Sequence, residues 1–275
     1  MSNLTEALKR YTFYHVIEVA PGVFTPGWKE AEPIQAPVID ALRRLPVRGK
    51  RVLDVGCRDG LFSFEAERLG ASEVIGIDND LSPAAVEFLI PHFASRVKMH
   101  AMNILELRPD DFGKFDLVIF AGVLYHLRYP FHALRLLRDV MNEGAALLLE
   151  TAIYTVHEDA ALLYCPVGSE SPYEATSVTF FNLKGLTDTL RSFGINVCST
   201  RYLNGHIAPV DRCTMVCEFQ PALIDEELRR YWDSTHELSS NLEAGQAFLS
   251  KRHAERRDDF VRTVRDSSGF KSGKS

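Results

Sequence analysis

The stretch Arg51-Val-Leu-Asp54-Val-Gly56-Cys57-Arg-Asp-Gly60 holds the residues whose types and spacing best suit a ligand. An apolar run ends on Asp54, two glycines follow, and a helical pattern (Leu61, Phe64, Glu65, Arg68, Leu69) starts at once. Strand, glycine-bearing turn and helix form the first half of a βαβ unit, a place where α/β proteins bring backbone up to a ligand. A dinucleotide site asks for G-x-G-x-x-G, whereas this sequence reads Asp-x-Gly-x-x-x-Gly. Glycine lets the backbone approach a ligand closely and takes φ angles that a Cβ forbids. An acid at the strand end suits an ammonium group better than a pyrophosphate. A second acid, Asp78, closes the next apolar run 24 positions beyond Asp54. Nucleotide-binding βαβ folds place an acid near that spacing on ribose hydroxyls, because one carboxylate accepts from both at once. Many apolar strands end in Asp, so the pairing with the glycine turn carries the assignment. For proton transfer there are three histidine candidates, His126, His157 and His206, each of which also reads as an ordinary surface or capping histidine.

The elements that must hold these residues follow from periodicity. Residues 2–10 predict a short helix. Residues 11–28 are aromatic-rich and broken at Pro21-Gly22 and Pro26-Gly27, which predicts a small hairpin or an extended arm. Its aromatic side chains either pack on the sheet or close over a bound cofactor, and Tyr14 and Trp28 are assigned the second role. A helix over 34–45 leads into the first core strand at 51–55. Further strands are expected at 74–78, 97–102, 115–120 and 145–151, with helices at 61–69, from Ser82-Pro83 onward, and at 127–141. Short apolar strands alternating with helices imply a parallel sheet covered on both faces. Residues 152–181 show no period, and a long segment leaving a strand's carboxyl end predicts a lid over an acceptor site. Tyr164 and Tyr173 are its candidate substrate contacts. Asn182 caps a helix over 183–193, and strands at 195–203 and 212–219 close the sheet. Arg212 opens the last strand, either in a surface salt bridge or holding an acidic group of a substrate. The expected architecture is α/β and Rossmann-like: a seven-stranded, mostly parallel sheet with its last strand antiparallel. The N-terminal helix and arm take 1–45, the sheet domain 46–220, and a charged helical extension with a disordered tail 221–275.

A chain of 275 residues, 46% hydrophobic and 25% charged, can bury a substantial core in one domain with extensions. Its net charge of −6 supplies no overall positive field for nucleic acid or an anionic membrane. The N-terminus has no apolar signal core, and no stretch reaches membrane-spanning length. Five cysteines with no C-x-x-C read as reduced thiols in a cytoplasmic protein, without a metal site. The charged helices expected at 223–232 and 242–264 pack back on the domain, pair with a second copy as a homodimer, or touch an anionic partner.

The turn from Asp54 to Gly60 resembles motif I of class I S-adenosylmethionine (SAM) methyltransferases. Gly122-Val-Leu-Tyr125-His126, Leu149-Glu150-Thr151, the stretch from Phe180 through Phe193, and Arg212 extend the likeness. Over roughly residues 11–219 the chain is similar to the group around the bacterial tRNA wobble-uridine carboxymethyltransferase. The resemblance implies that Asp54, Gly56, Cys57, Gly60, Asp78, Asn79, Ala121 and Tyr125 contact the cofactor, with Asn103 and Ile104 at its adenine. An Asx turn explains Asn103 equally well. In the carboxymethyltransferase an arginine matching Arg212 helps to hold the extra carboxylate of carboxy-SAM, and lysines of the arm complete that site. Residues 11–49 contain one lysine, Lys29, beside Trp28, so ordinary SAM is expected rather than carboxy-SAM. Methyl transfer from a sulfonium is an in-line displacement with an excellent leaving group, so the enzyme chiefly holds methyl and acceptor together in a dry pocket. The implied function is SAM-dependent methylation of an oxygen or nitrogen on a small polar acceptor, a metabolite or glycan precursor. A tRNA wobble uridine is the alternative substrate, and a non-catalytic SAM-binding protein the third reading.

Overall fold

The computed structural model describes residues 2–205 and 209–224. Helix α1 (Ser2–Arg10) is followed by the expected hairpin, β1 (Glu18–Ala20) pairing antiparallel with β2 (Val23–Phe24). Leu8, Phe13, Ile17 and Val19 of this region share a buried cluster with Ala84 and Leu89, packed against Leu61 and Phe64. The arm is therefore part of the core of a compact unit that runs to Leu223. Helix α2 (Glu32–Arg44) carries a proline in its first turn, where a missing N–H costs no hydrogen bond.

The central strand, β3 (Arg51–Val55), is buried on both sides. Val52 joins Val38, Ala41 and Leu42 of α2 and Phe62 and Ala66 of α3 (Leu61–Arg68). Leu53, whose side chain points the opposite way, is equally buried. Each such Leu or Val stabilises the fold by roughly 1.5–3 kcal/mol relative to an exposed one. On one side of β3 lies β4 (Glu73–Asp78), then a helical stretch that is π-form over Ala85–Leu89 and ends as α4 (Ile90–His92), then β5 (Lys98–Ala101). After a short α5 (Pro109–Phe112) the chain crosses to the other side of β3 and lays down β6 (Phe115–Ala121), α6 (Pro130–Asp139) and β7 (Met141–Tyr154). A two-stranded ladder of β8 (Leu163–Tyr164) and β9 (Phe180–Phe181) precedes α7 (Leu183–Ser192), β10 (Ile195–Tyr202) and β11 (Val210–Phe219).

The seven strands run in the order β10-β11-β7-β6-β3-β4-β5. Strand β11 is antiparallel to both neighbours and the other pairings are parallel, as the periodicity implied. Helices cover both faces. The order reverses between β3 and β6, and ligands of open α/β sheets bind at such a switch point, beyond the carboxyl ends of the strands.

Two boundaries differ from the sequence reading. The helix expected over 127–141 spans Pro130–Asp139, because a 3-10 turn holds 124–126 and Pro130 sets the first helical residue. Strand β7 is longer than expected at both ends, since β6 and β11 both pair along it; it takes the last residue assigned to that helix, Met141, and the first three assigned to the lid. The helices expected beyond 224 and the loop residue His206 lie outside the described residues. Among the described residues no helix is long and apolar enough to cross a membrane, and no group of His, Cys, Asp and Glu is placed to hold a metal ion.

Candidate functional site

The loop after β3 is bent by its glycines. Gly56 has φ +79°, and a Cβ there would stand 2.3 Å from Val123 Cγ2 in the turn after β6. Only glycine lets these two loops meet at the switch point. The N–H groups of Gly56 and Cys57 donate to Ile77 O at 2.8 and 3.2 Å and fasten the loop to β4. Gly60, φ +88°, opens α3 where a Cβ would meet Met99 Cε at 2.2 Å. Gly122, φ +73°, has no heavy atom within 4 Å of the place a Cβ would take, so the turn after β6 borders open space.

Asp54 is buried beneath this loop and accepts from Ser63 Oγ at 2.6 Å. It thereby ties the strand end to the first turn of α3. Burial pushes its carboxyl up to about 7, with Ser63 opposing and nearby Asp78 adding to the shift. The Cys57 side chain turns away from the bend. Its Sγ lies where a Cβ on Gly76 of β4 would be 2.9 Å off, and burial raises the thiol's pKa. Only the backbone of Cys57 therefore faces the bend.

Asp78 ends β4 facing the same loop. Its Oδ2 accepts from Arg58 N–H at 2.8 Å and its Oδ1 from Asp80 N–H at 2.7 Å. A carboxylate offers about four lone-pair sites, so two remain unspent. Asn79 is exposed beside it, Ile104 is buried, and Ala121 is half-buried at the end of β6. Asn103 caps a 3-10 turn over Ile104–Glu106: its Oδ1 accepts from Leu105 N–H at 2.9 Å, and its own N–H donates to Glu106 at 3.2 Å. The local turn thus engages the Asn103 oxygen and leaves the amide nitrogen for other partners.

Across the switch point a second cluster forms around Arg212. In β11 it lies opposite Ala152 of β7, two residues from Glu150. Its Nε and Nη2 donate to the two Glu150 oxygens at 2.8 and 2.7 Å, in a forked pair that is buried on both sides. The surface salt bridge considered for Arg212 is therefore corrected to a buried one. Burial opposes the guanidinium's charge, but Glu150 more than offsets it, and Arg212 holds its proton more tightly than usual. The guanidinium lies 4.5 Å from the centroid of the Tyr125 ring, and its Nη1 donates to the Tyr173 hydroxyl at 3.1 Å. Tyr14, on the arm, comes within electrostatic range of Arg212. Burial raises its phenol pKa, and the charge of Arg212 acts against that rise. Trp28 stands next to it, ring centroids 6.0 Å apart and 48% exposed.

Tyr164 is stacked on Tyr154 at 5.1 Å and packs with Phe180 behind Tyr125, so its ring supports the cluster's apolar base. His126 packs against Tyr125 with the rings tilted at 41°, centroids 4.2 Å apart. Its Nδ1 is 3.1 Å from Thr176 O and its Nε2 is 3.5 Å from Glu174 Oε1, which ties it to the segment carrying Tyr173. His157 is not brought to the cluster. It sits at φ +59° in the exposed turn after β7, where its carbonyl accepts from the Asn182 side chain that caps α7. The assignment of His157 as a base is corrected accordingly.

Sequence reasoning passed over Glu150, Asp59 and Ser63 as site residues. Glu150 had a signal: an acid within the apolar run Leu147-Leu-Leu-Glu150 must find a cation when it is buried, and Arg212 is that cation. Asp59 lies inside the glycine turn itself, yet its partner is the arm, which no local spacing could indicate.

Residues 30–200 match the family model of a methyltransferase domain. Over 125 residues the chain is 38% identical to the tRNA U34 carboxymethyltransferase of Methylococcus capsulatus, covering 45% of this chain and 38% of that protein. The alignment thus spans well under half the length of that curated relative. Among solved structures, the N-terminal domain of EvdMO1 with SAH bound superposes with a TM-score of 0.60 at 20% identity, covering 78% of this chain and 94% of that one. The 1,6-didemethyltoxoflavin-N1-methyltransferase of Burkholderia thailandensis superposes with a TM-score of 0.54 at 17% identity, covering 70% and 80%. These two likenesses are in fold, while the family model covers β3 through most of β10, including both loops at the switch point. The chain belongs to the methyltransferase-domain family.

Proposed function

We propose that this unit binds SAM between the loop after β3 and the turn after β6 and methylates an oxygen or nitrogen of a small polar acceptor. The observation that carries the reading is Asp78: its carboxylate faces the glycine loop with two lone-pair sites unspent, as a ribose diol requires. The bend from Gly56 to Gly60 would hold the amino-acid end of the cofactor, and Asn103 through its amide nitrogen, with Ile104, the adenine. When bound, the sulfonium supplies an activated methyl group. The chain's own residues then orient the acceptor and exclude water. Tyr125, Tyr173 and Tyr14 wall the space around the Arg212–Glu150 pair, and residues 165–179 act as the lid, latched through Tyr173 and His126. His126, beside Tyr125, is the group assigned to take an acceptor proton.

SAM is preferred to carboxy-SAM on two grounds. A further carboxylate would have to share Arg212 with Glu150, and the lone arm lysine, Lys29, is exposed beside Trp28. Titration calorimetry with each cofactor tests this: SAM should bind and carboxy-SAM bind more weakly, and no heat with SAM contradicts the reading.

A second reading takes a tRNA wobble uridine as the acceptor, supported by the relatives called tRNA U34 carboxymethyltransferase. It requires a complex with bulk tRNA that weakens steeply with salt. A gel-shift series from low to physiological salt decides it, and no shift at low salt removes it.

A further inference from the structure

The glycine loop and the arm meet on one buried carboxylate. Asp59, between Arg58 and Gly60, is 1% exposed, and its Oδ2 accepts from the backbone N–H groups of both Tyr14 and His15, the latter at 2.7 Å. One oxygen serving two amides calls for an anion, since charge-assisted hydrogen bonds are roughly twice as strong as neutral ones. Burial works against that charge, but the nearby His15 ring, its Nδ1 3.6 Å from Asp59 Oδ2, the neighbouring Ser82 hydroxyl and the hydrogen bond from the His15 amide outweigh it and hold the carboxyl below the usual range. Around this anchor the arm doubles back on itself. Trp28 N–H donates to Tyr14 O at 2.9 Å, Thr25 Oγ1 donates to His15 O at 2.6 Å, and Gly27 is so close that a Cβ would stand 2.2 Å from His15 O. The Tyr14 ring lies against His15 and Trp28, centroids 4.9 and 6.0 Å apart.

We infer that Asp59 is a positioning residue: by gripping the Tyr14 and His15 amides it sets the arm on the glycine loop, fixes where the Tyr14 ring leaves the arm, and transmits ordering of the loop to the arm. The last consequence rests on the proposed function, because it takes the loop as the cofactor's seat. The anchoring itself does not, and it is measured without cofactor.

Amide hydrogen exchange at Tyr14 and His15 reads the anchor directly. In the cofactor-free full chain, Asp59→Ala should speed exchange there at least tenfold and leave β3 as protected as in the parent. Asp59→Asn, whose neutral oxygen still accepts, should fall in between. Gly27→Ala damages the arm from the other side with Asp59 intact; it should give the same local loss, and the double variant should lose no more than either single one. Adding S-adenosylhomocysteine should slow exchange at these amides in the parent and not in Asp59→Ala. Exchange within twofold of the parent in Asp59→Ala overturns the inference. So do a rise spread evenly over the whole unit and effects that multiply in the double variant. If Asp59→Ala does not fold, parent-like exchange in Asp59→Asn overturns it instead and an intermediate rise supports it. Failure of every variant, parent included, to bind S-adenosylhomocysteine removes the functional reading and leaves the cofactor-free result to decide the anchor.

Discussion

The two halves of the site are built in different ways. The half at the loop after β3 is contiguous: Asp54, Gly56, Gly60, Ser63 and Asp78 fall within one βαβ unit, and backbone geometry does most of the shaping. The half around Arg212 is assembled from distant segments, with Tyr14 from the arm, Tyr125 after β6, Glu150 in β7, Tyr173 beyond it and Arg212 in β11. A loop shaped by glycines can be read from spacing, because a missing Cβ is a local requirement. A buried charge network exists only once the sheet has formed. On the proposed function, the first half would hold the cofactor and the second could change its acceptor without disturbing the first.

The sharpest way to break this contrast is Glu150→Ala, which leaves Arg212 buried and unpaired. Losing one partner of such a pair typically costs about 3–5 kcal/mol, read as a large drop in denaturant midpoint. The opposite half answers with Gly56→Ala, which combines an αL penalty with overlap against Val123. About 2–4 kcal/mol and loss of cofactor binding are expected, whereas Gly122→Ala, with open space around it, should keep most of the stability. An effect of similar size, spread over about three pH units, comes from pH. The Asp54 carboxyl titrates near 7 in the fold against 3.8 ordinarily, so the folded state binds this proton more tightly than the unfolded one. The contribution is therefore full below about pH 4 and lost as pH rises from there to about 7, by on the order of 1 kcal/mol per pH unit. Asp54→Asn should flatten that decline in denaturant melts across the window. The smallest effect is expected from Tyr173→Phe, which removes one hydrogen bond to Arg212. It should cost about 1 kcal/mol and leave the affinity for S-adenosylhomocysteine unchanged in calorimetry.

The same contrast explains what was legible in the sequence. Strand alternation and two glycines sufficed for the sheet, its single antiparallel strand and the turn at Gly56. Asp78 was legible because a strand end fixes where its side chain emerges. The length of β7 was not, since Met141 and Ala152–Tyr154 become strand only through neighbours distant in sequence. The place of His157 was hidden for a related reason. A ring's reach depends on backbone ties such as the one from Asn182 to His157 O, and no spacing encodes these. Glu150 and Asp59 lay in plain view as acids in apolar or glycine-rich company, but their partners come from other parts of the chain.

The central claim is that Asp78 and the glycine loop together grip a sulfonium nucleoside. Calorimetric titration of S-adenosylhomocysteine into the parent and Asp78→Ala tests it most directly. Two charge-assisted hydrogen bonds to ribose should make the variant's affinity lower by on the order of a hundredfold, while its fold, followed by circular dichroism, persists at the measuring temperature. Affinity within threefold of the parent would place the nucleoside elsewhere and contradict the account.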